Sequence, residues 1–343
     1  MVGTIKMKYH YLLFICICLV SCMNKAQKIP KENLTCKIFS SSNLVITNSS
    51  LIACNSKYVL IADNKTEFVF HLLRKDGSYI GSYGKKGLGG NEFILISSLE
   101  RYRGDTFLAY DINKRKAFEL SVSQEKESLH WRELFADDSI FHVNILPIRD
   151  RFVTSGFYQD YRLYVLNKRG EIEHGFFEQP YRNEKERNYS PVSRSQVYQG
   201  IMSTDFSGRH IVRALLNANI ISFYDVEKDG TLNCIKENIE SYPAYDYNEN
   251  GDYEGISANS KICYLSVCSN DKYVYALYSG KTFRKSINDS SQSKVIYVYD
   301  WKGRIVKIIN VDKSLSKICM GANGNEIIAI SDDPEPCLVR ISI

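Results

Sequence analysis

The sequence predicts an all-β chain folded as a six-bladed β-propeller, its ring closed by an N-terminal strand in the Leu34–Phe39 region joining the C-terminal blade. Three observations predict it. A strand motif recurs six times, hairpin turns follow most copies, and a spare N-terminal strand matches a last copy that is one strand short.

The recurring motif is a short turn followed by an alternating apolar strand. It begins at Ser56, Gly104, Asp150, Gly208, Asp271 and Gly324. Measured from Lys57 in the first copy, successive spacings are 47, 46, 58, 63 and 53 residues. Short apolar strands such as Phe93–Ile96, Phe141–Leu146 and Ile262–Val267 precede the copies. Hairpins with glycine turns follow, at Asp76-Gly77, Arg169-Gly170, Asp229-Gly230 and Lys302-Gly303. Such turns supply the positive φ that a tight hairpin needs. The second copy departs from this, with a glycine-free polar turn after Arg115–Leu120. Four antiparallel strands per repeat of this length describe one propeller blade. The sixth copy ends after three strands, at Cys337–Ile343, and Leu34–Phe39 supplies the fourth, removing two sheet edges. A pair of β-sandwiches or a seven-bladed ring are the competing arrangements.

Composition sets the outer bounds. The 343 residues are 44% hydrophobic and 24% charged, which excludes a disordered chain. The 44 basic and 39 acidic residues give a formal charge of +5, too even for a dedicated nucleic-acid binder. The 24 tyrosines lean towards strands.

Residues 1–21 read as a signal segment. Lys6 and Lys8 precede the apolar stretch Tyr11–Val20, which is too short to span a bilayer. It ends in Leu19-Val20-Ser21-Cys22, which resembles a bacterial lipoprotein processing site with Cys22 as the acylated residue. The true start is Met1 or Met7. Residues 22–33 then form a lipidated cysteine and polar tether, and 34–343 the propeller. The anchor is the only predicted membrane contact, with a monomeric body. Seven cysteines remain, Cys36, Cys54, Cys234, Cys263, Cys268, Cys319 and Cys337, an odd number without a Cys-x-x-Cys pair. Most read as buried core thiols, with one disulfide as the alternative.

Signal, tether and six blades together resemble the TolB-like six-bladed propeller lipoproteins of Bacteroidetes. The most specific local match is Gly84-Lys-Lys-Gly-Leu-Gly-Gly-Asn-Glu-Phe93, similar to a Gly-x-Gly-Pro-Gly-Glu-Phe turn between the first two blades of that family. Here Gly89-Gly90-Asn91 replaces the Pro-Gly pair. The resemblance implies a fold and an envelope location, on the outer membrane. The residues after Cys22 lack an acidic run that would resemble a surface-export signal, so the periplasmic side is favoured. The resemblance implies little chemistry.

Strand order places the long insertions. With strands A to D from inside to outside, D-to-A crossovers and B-to-C turns share one face. Residues 84–92, 178–197 and 238–260 fall at crossovers, and 279–294 at a B-to-C turn. That face is therefore the candidate binding face. Its candidate residues are Lys85, Lys86, Asn91 and Glu92 in the first insertion. Tyr181, Arg182, Arg187, Tyr189 and Arg194 lie in the second. Tyr245, Tyr247 and Tyr253 lie in the third, with Lys281 and Arg284 in the last. Tyr and Arg are the residues that build contact surfaces at low entropic cost; solvated loops with incidental tyrosines are the plainer alternative.

Asp246, Asn248, Asn250 and Asp252 have the oxygen-ligand spacing that opens a Ca²⁺ loop. The twelfth position is Ser257 instead of a bidentate Glu, so a simple Asn/Gly turn is favoured over a looser Ca²⁺ site. No other cofactor is expected. Catalytic motifs are lacking: there is no Gly-x-Ser-x-Gly, His-Glu-x-x-His or Walker A element. His71, His130, His142, His174 and His210 are dispersed, and Asp63, Asp111, Asp225 and Asp300 read as turn caps. The sequence thus favours binding of an envelope protein, peptide or glycan over two alternatives. These are a glycan lyase or hydrolase on the same face, and a structural subunit of an envelope assembly.

Overall fold

The computed structural model describes residues 28–39, 46–47, 50–250, 252–283, 291–333 and 335–343. The signal segment, Cys22 and Arg284 lie outside the described residues. The chain divides into Met1–Pro30 and Lys31–Ile343, and the account below concerns the second unit. Two short strands, β1 (Lys31–Leu34) and β2 (Lys37–Ile38), open it.

Four separate four-stranded antiparallel sheets follow. The first is β3 (Leu51–Cys54), β4 (Tyr58–Ala62), β5 (Phe68–Arg74) and β6 (Tyr79–Lys85). The second is β7 (Ile96–Arg101), β8 (Phe107–Asp111), β9 (Lys116–Ser123) and β10 (Ser128–Ala136). The third is β11 (His142–Ile148), β12 (Arg151–Gly156), β13 (Leu163–Leu166) and β14 (Ile172–Phe176). The fourth is β15 (Gly200–Thr204), β16 (His210–Leu215), β17 (Asn219–Val226) and β18 (Leu232–Ser241). Helices α1 (Glu184–Arg187) and α2 (Pro191–Val197) precede β15, and a hairpin of β19 (Tyr245–Tyr247) and β20 (Tyr253–Ile256) follows β18.

Blades five and six share one strand. An eight-stranded sheet holds β21 (Lys261–Ser269), β22 (Tyr273–Thr282), β23 (Ser293–Asp300), β24 (Ile305–Met320), β25 (Glu326–Ser331) and β26 (Cys337–Ser342), with β1 and β2 added. Ile305–Asn310 pairs with β23 as the outer strand of blade five. Leu315–Met320 pairs with β25 as the inner strand of blade six. The fold is therefore an all-β propeller of six blades.

The six recurring strands of the sequence are β4, β8, β12, β16, β22 and β25, the second strand of each blade. Every residue of β4, β8 and β25 is buried. The core sits between facing blades. Between the first two, Leu60, Ala62, Phe70 and Phe93 pack against Phe107, Ala109 and Leu120. Each fully buried Leu, Ile or Phe stabilises by about 1.5–3 kcal/mol relative to exposure.

Two expected strands are corrected. The inner strand of blade two begins at Ile96, not at Phe93. Phe93 instead plugs the gap between blades, edge-on to Phe70, Phe118 and Trp131 at 4.9, 5.1 and 5.3 Å. The Leu34–Phe39 strand is two strands, and the first of them begins at Lys31, inside the expected tether. β1 lies parallel to β24 on blade five, and β2 pairs with β26 to complete blade six. Between them Cys36 is buried and its N–H donates to Asp312 Oδ1 at 2.8 Å.

Gly77 explains one turn and its absence elsewhere explains another. At φ +94°, a Cβ here would lie 1.7 Å from the Phe39 carbonyl oxygen, so only glycine lets blade one meet the closing segment. The glycine-free turn of blade two places Glu127 at φ 45° instead. Its carboxylate is gripped by Arg74 of blade one, a contact that offsets part of the strain.

All seven cysteines after Cys22 are free thiols, five of them buried. Cys263 and Cys268 lie in different core clusters. Burial pushes the Cys263 thiol up to about 11 and Cys268 well above its ordinary value, so neither reacts as thiolate. Cys234 is the exposed one. A maleimide should therefore label native residues 24–343 first at Cys234, and Cys234→Ser should remove that fast phase. Rapid labelling of several sites in the native body would contradict this packing.

Candidate functional site

The insertions at 178–197 and 238–260 do not stand apart as loops. They fold onto one another as a lobe with its own small core of Val197, Tyr198, Leu215, Ala218, Ile220 and Tyr245. Asn183 caps α1 through its side chain. The Glu186 carboxylate is buried, takes the Arg182 N–H at 3.0 Å, and is crowded by Tyr198 and Tyr245. Burial first, then that carboxylate, pushes both phenols far up.

Several predicted contact residues are therefore spent inside the lobe. Tyr245 and Arg194 are buried. Arg194 Nη1 donates to the Gln179 carbonyl at 2.9 Å. Tyr189 and Tyr247 pack with their rings tilted at 57° and centroids 4.1 Å apart, and the Tyr253 N–H donates to Ser193 Oγ at 3.3 Å. Arg187 and Arg182 stay exposed while lying 5.2 Å over Tyr181 and 5.5 Å over Tyr245. The Tyr and Arg content that marked these insertions as a contact surface serves, at Tyr189, Arg194, Tyr245, Tyr247 and Tyr253, the packing of the insertions on each other.

In the first insertion, Glu92 serves the loop. Its Oε2 accepts the Gly89 N–H at 2.8 Å, while Lys114 Nζ donates to the Gly89 and Glu92 carbonyls at 2.5 and 2.6 Å. Lys86 Nζ donates to the Asn64 carbonyl at 2.8 Å. Lys85 and Asn91 are exposed, and Leu88 stands 85% exposed at the tip. Lys281 is exposed as well.

The four proposed calcium ligands form a hairpin turn. Asn248 Oδ1 accepts the Asn250 and Asp252 N–H groups at 3.0 and 2.9 Å. Among the described residues no three acidic, His or Cys side chains gather as a metal would need. These residues do not fit a calcium loop.

The expected turn caps are present. Asp111 accepts the Ile94 N–H at 2.7 Å, Asp63 the Thr47 N–H at 2.8 Å, and Asp300 the Arg304 N–H at 2.9 Å. Asp225 differs, accepting from His210 Nδ1 at 2.6 Å. His142 lies fully buried between Tyr158 at 2.6 Å and Asp137 at 3.0 Å. Burial pushes the Asp137 carboxyl up, and bonds from His142 and Ser139 outweigh this and pull it to about 2. With His142 closed off from solvent, this group fastens blade three.

Sequence reasoning missed the main concavity. A cavity of about 350 Å³ runs along the channel, lined by the inner strands of all six blades. It is lined towards the ends of those strands and by the turns after β7 and β15, so it opens on the A-to-B face, opposite the insertions. Glu100, Lys317, Cys268 and Cys319 line it, with Arg101, Arg103 and Arg149 at the mouth. Burial pushes the Glu100 carboxyl up to about 8 and the Lys317 ammonium down. The available signal was a charged residue beside an apolar one in an inner strand, as in Leu99-Glu100 and Lys317-Ile318.

Fold and channel define a six-bladed propeller with an open, polar central cavity and one elaborated face. The profile of the TolB-like 6-blade propeller-like family matches residues 29–323, and the chain belongs to that family. No curated protein matches it in sequence. Among solved structures it is similar to an exported protein of Bacteroides fragilis, at TM-score 0.58 and 14% identity, over 92% of this chain and 98% of that one. It is also similar to U3-55K, at TM-score 0.50 and 10% identity, over 85% and 80% of the two chains. These likenesses concern the fold. Among the described residues no helix is long and apolar enough to cross a membrane.

Proposed function

We propose that this protein is a lipid-anchored propeller of the cell envelope that binds a partner through its insertion-bearing face. Cys22 carries the anchor, the body faces the periplasm from the outer membrane, and it acts as a monomer without a cofactor. The observation that supports the face best is Leu88, an aliphatic side chain held 85% exposed at the tip of a loop tied by Glu92 and Lys114. A rigid loop presenting an apolar tip, ringed by Lys85 and Lys86 and accompanied by Arg182 and Arg187 on the lobe, suits a protein or peptide more than a glycan.

Immobilised residues 24–343 should retain an envelope protein, and Leu88→Asp with Arg187→Glu should lower retention at least ~10-fold. Both side chains are exposed, but Arg187 also pairs with Glu178 at 3.5 Å and Glu184 at 3.7 Å, so the comparison is made on a variant whose unfolding midpoint matches the parent's. Retention that ignores the variant, or hydrolysis of an envelope glycan by the body alone, would replace this reading with the structural or enzymatic one. Protease treatment of intact cells should spare the protein if it faces the periplasm.

A further inference from the structure

The channel holds an acid and a base, Glu100 and Lys317, that form no ion pair with each other. Lys317 is half-buried, and of its three N–H donors one is used, on the Leu265 carbonyl at 3.1 Å. Glu100 lines the same cavity one residue before the end of β7. Burial pushes the Glu100 carboxyl up and the Lys317 ammonium down, and no ion pair joins the two. A buried charge left unpaired costs far more than an apolar residue in its place. A channel required only to hold blades together would be lined by apolar side chains there.

The mouth is basic. Arg101 and Arg149 reach backbone carbonyls, those of Ala322 at 3.5 Å and Val226 at 3.1 Å, and among the described residues neither has a carboxylate partner. Arg101 also lies 5.0 Å over Phe206. Arg103, the third arginine of the mouth, lies over Tyr102 and likewise lacks a carboxylate. The carboxylates nearest in sequence are engaged. Asp105 pairs with Lys57 at 3.4 Å, Asp150 with Arg151 at 2.7 Å, and Asp205 accepts the N–H groups of its own turn.

We propose that the central channel is a binding site, entered from the face opposite the insertions, for a small hydroxylated organic anion whose negative group sits on Lys317. The arginine mouth attracts the anion. Lys317 supplies unused donors deeper in. Glu100, largely protonated near neutral pH, exchanges a hydrogen bond with a ligand hydroxyl. The cavity's 350 Å³ suits a single sugar-sized molecule. The site is independent of the insertion face.

The test is calorimetric titration of residues 24–343 with D-galacturonate, inorganic phosphate and D-galactose. Galacturonate should bind, galactose should not, and phosphate binding without galacturonate binding would assign a phosphoryl ligand in the same place. Lys317→Met should weaken binding at least ~10-fold. Arg101→Gln should weaken it less and flatten its salt dependence. Leu88→Asp should leave it unchanged, which separates this site from the partner face. Failure of both anions to bind, equal binding of galactose, or unchanged affinity in a folded Lys317→Met variant would overturn the proposal. Should that variant not fold, unchanged affinity in Arg101→Gln at low salt overturns it equally.

Discussion

Removing residues up to Phe39 is expected to lower the unfolding midpoint of residues 24–343 by about 10 °C or more. The deleted segment supplies β1 and β2, so blade six loses its outer strand and blade five its extra one. It also removes the Phe39 ring, on which Arg340 lies at 4.6 Å, and the ion pair of Glu32 with Lys307 at 2.7 Å. Loss of a partly buried aromatic and of six paired strand residues amounts to about 5 kcal/mol. For a chain of this size each kcal/mol moves the midpoint by about 2–4 °C. The bared edge of β26 should also promote association between chains. Far-UV circular dichroism with temperature, together with size-exclusion chromatography, reads both effects. An unchanged midpoint would mean that the ring does not depend on this closure.

Glu237→Ala is expected to destabilise the body by about 3–5 kcal/mol in urea unfolding. Glu237 accepts from Arg162 Nη1 at 2.6 Å and from Ser222 Oγ at 2.6 Å. Arg162 and Arg213 are both buried, and burial, followed by the charge of Arg162, pulls Arg213 down to about 10. Without Glu237 two guanidinium groups stay buried with no carboxylate between them. Glu237→Gln keeps the volume and loses the charge, so it should recover little. Acid acts on the same group. Burial raises the Glu237 carboxyl, and the charge of Arg162 with bonds from Ser222 and Arg162 outweighs it, leaving the group below its ordinary 4.5. A folded-state value below the unfolded one means that its stability is full above pH 4.5 and drains as the pH falls through the lower value. The variant should therefore show a flatter loss of stability over that acid window. A Glu237→Ala midpoint within experimental error of the parent would sink the argument.

The blades were legible because their second strands carry a signal that nothing competes with. Tyr58–Ala62, Phe107–Asp111 and Glu326–Ser331 are buried on both faces, so their side chains are almost uniformly apolar. The inner strands were read less well. One side of each faces the channel, so Ser98, Glu100, Ser266 and Lys317 interrupt the apolar run where the cavity lies. Phe93 reads as part of a strand because an aromatic that plugs a gap between blades has the composition of a strand residue. Strand order puts the insertions at D-to-A crossovers and a B-to-C turn, yet Tyr245 and Arg194 turn inward. Spacing alone does not reveal that two insertions from consecutive crossovers pack on each other.

Blade six also imposes a schedule. Its strands come from opposite ends of the chain, with Lys37 opposite Arg340 and Ile38 opposite Val339. A chain emerging from the ribosome or a translocation pore can form the first four blades from local hairpins. It cannot finish the sixth until its last residues are free. Such distant pairing is slow to find, and until then β1 and β2 lack their partners β24 and β26. The waiting intermediate is a partly curled row of blades with apolar faces exposed, the species in which aggregation and chaperone capture compete with folding. Quality control of this protein should therefore act on the interval between synthesis of β18 and release of β26.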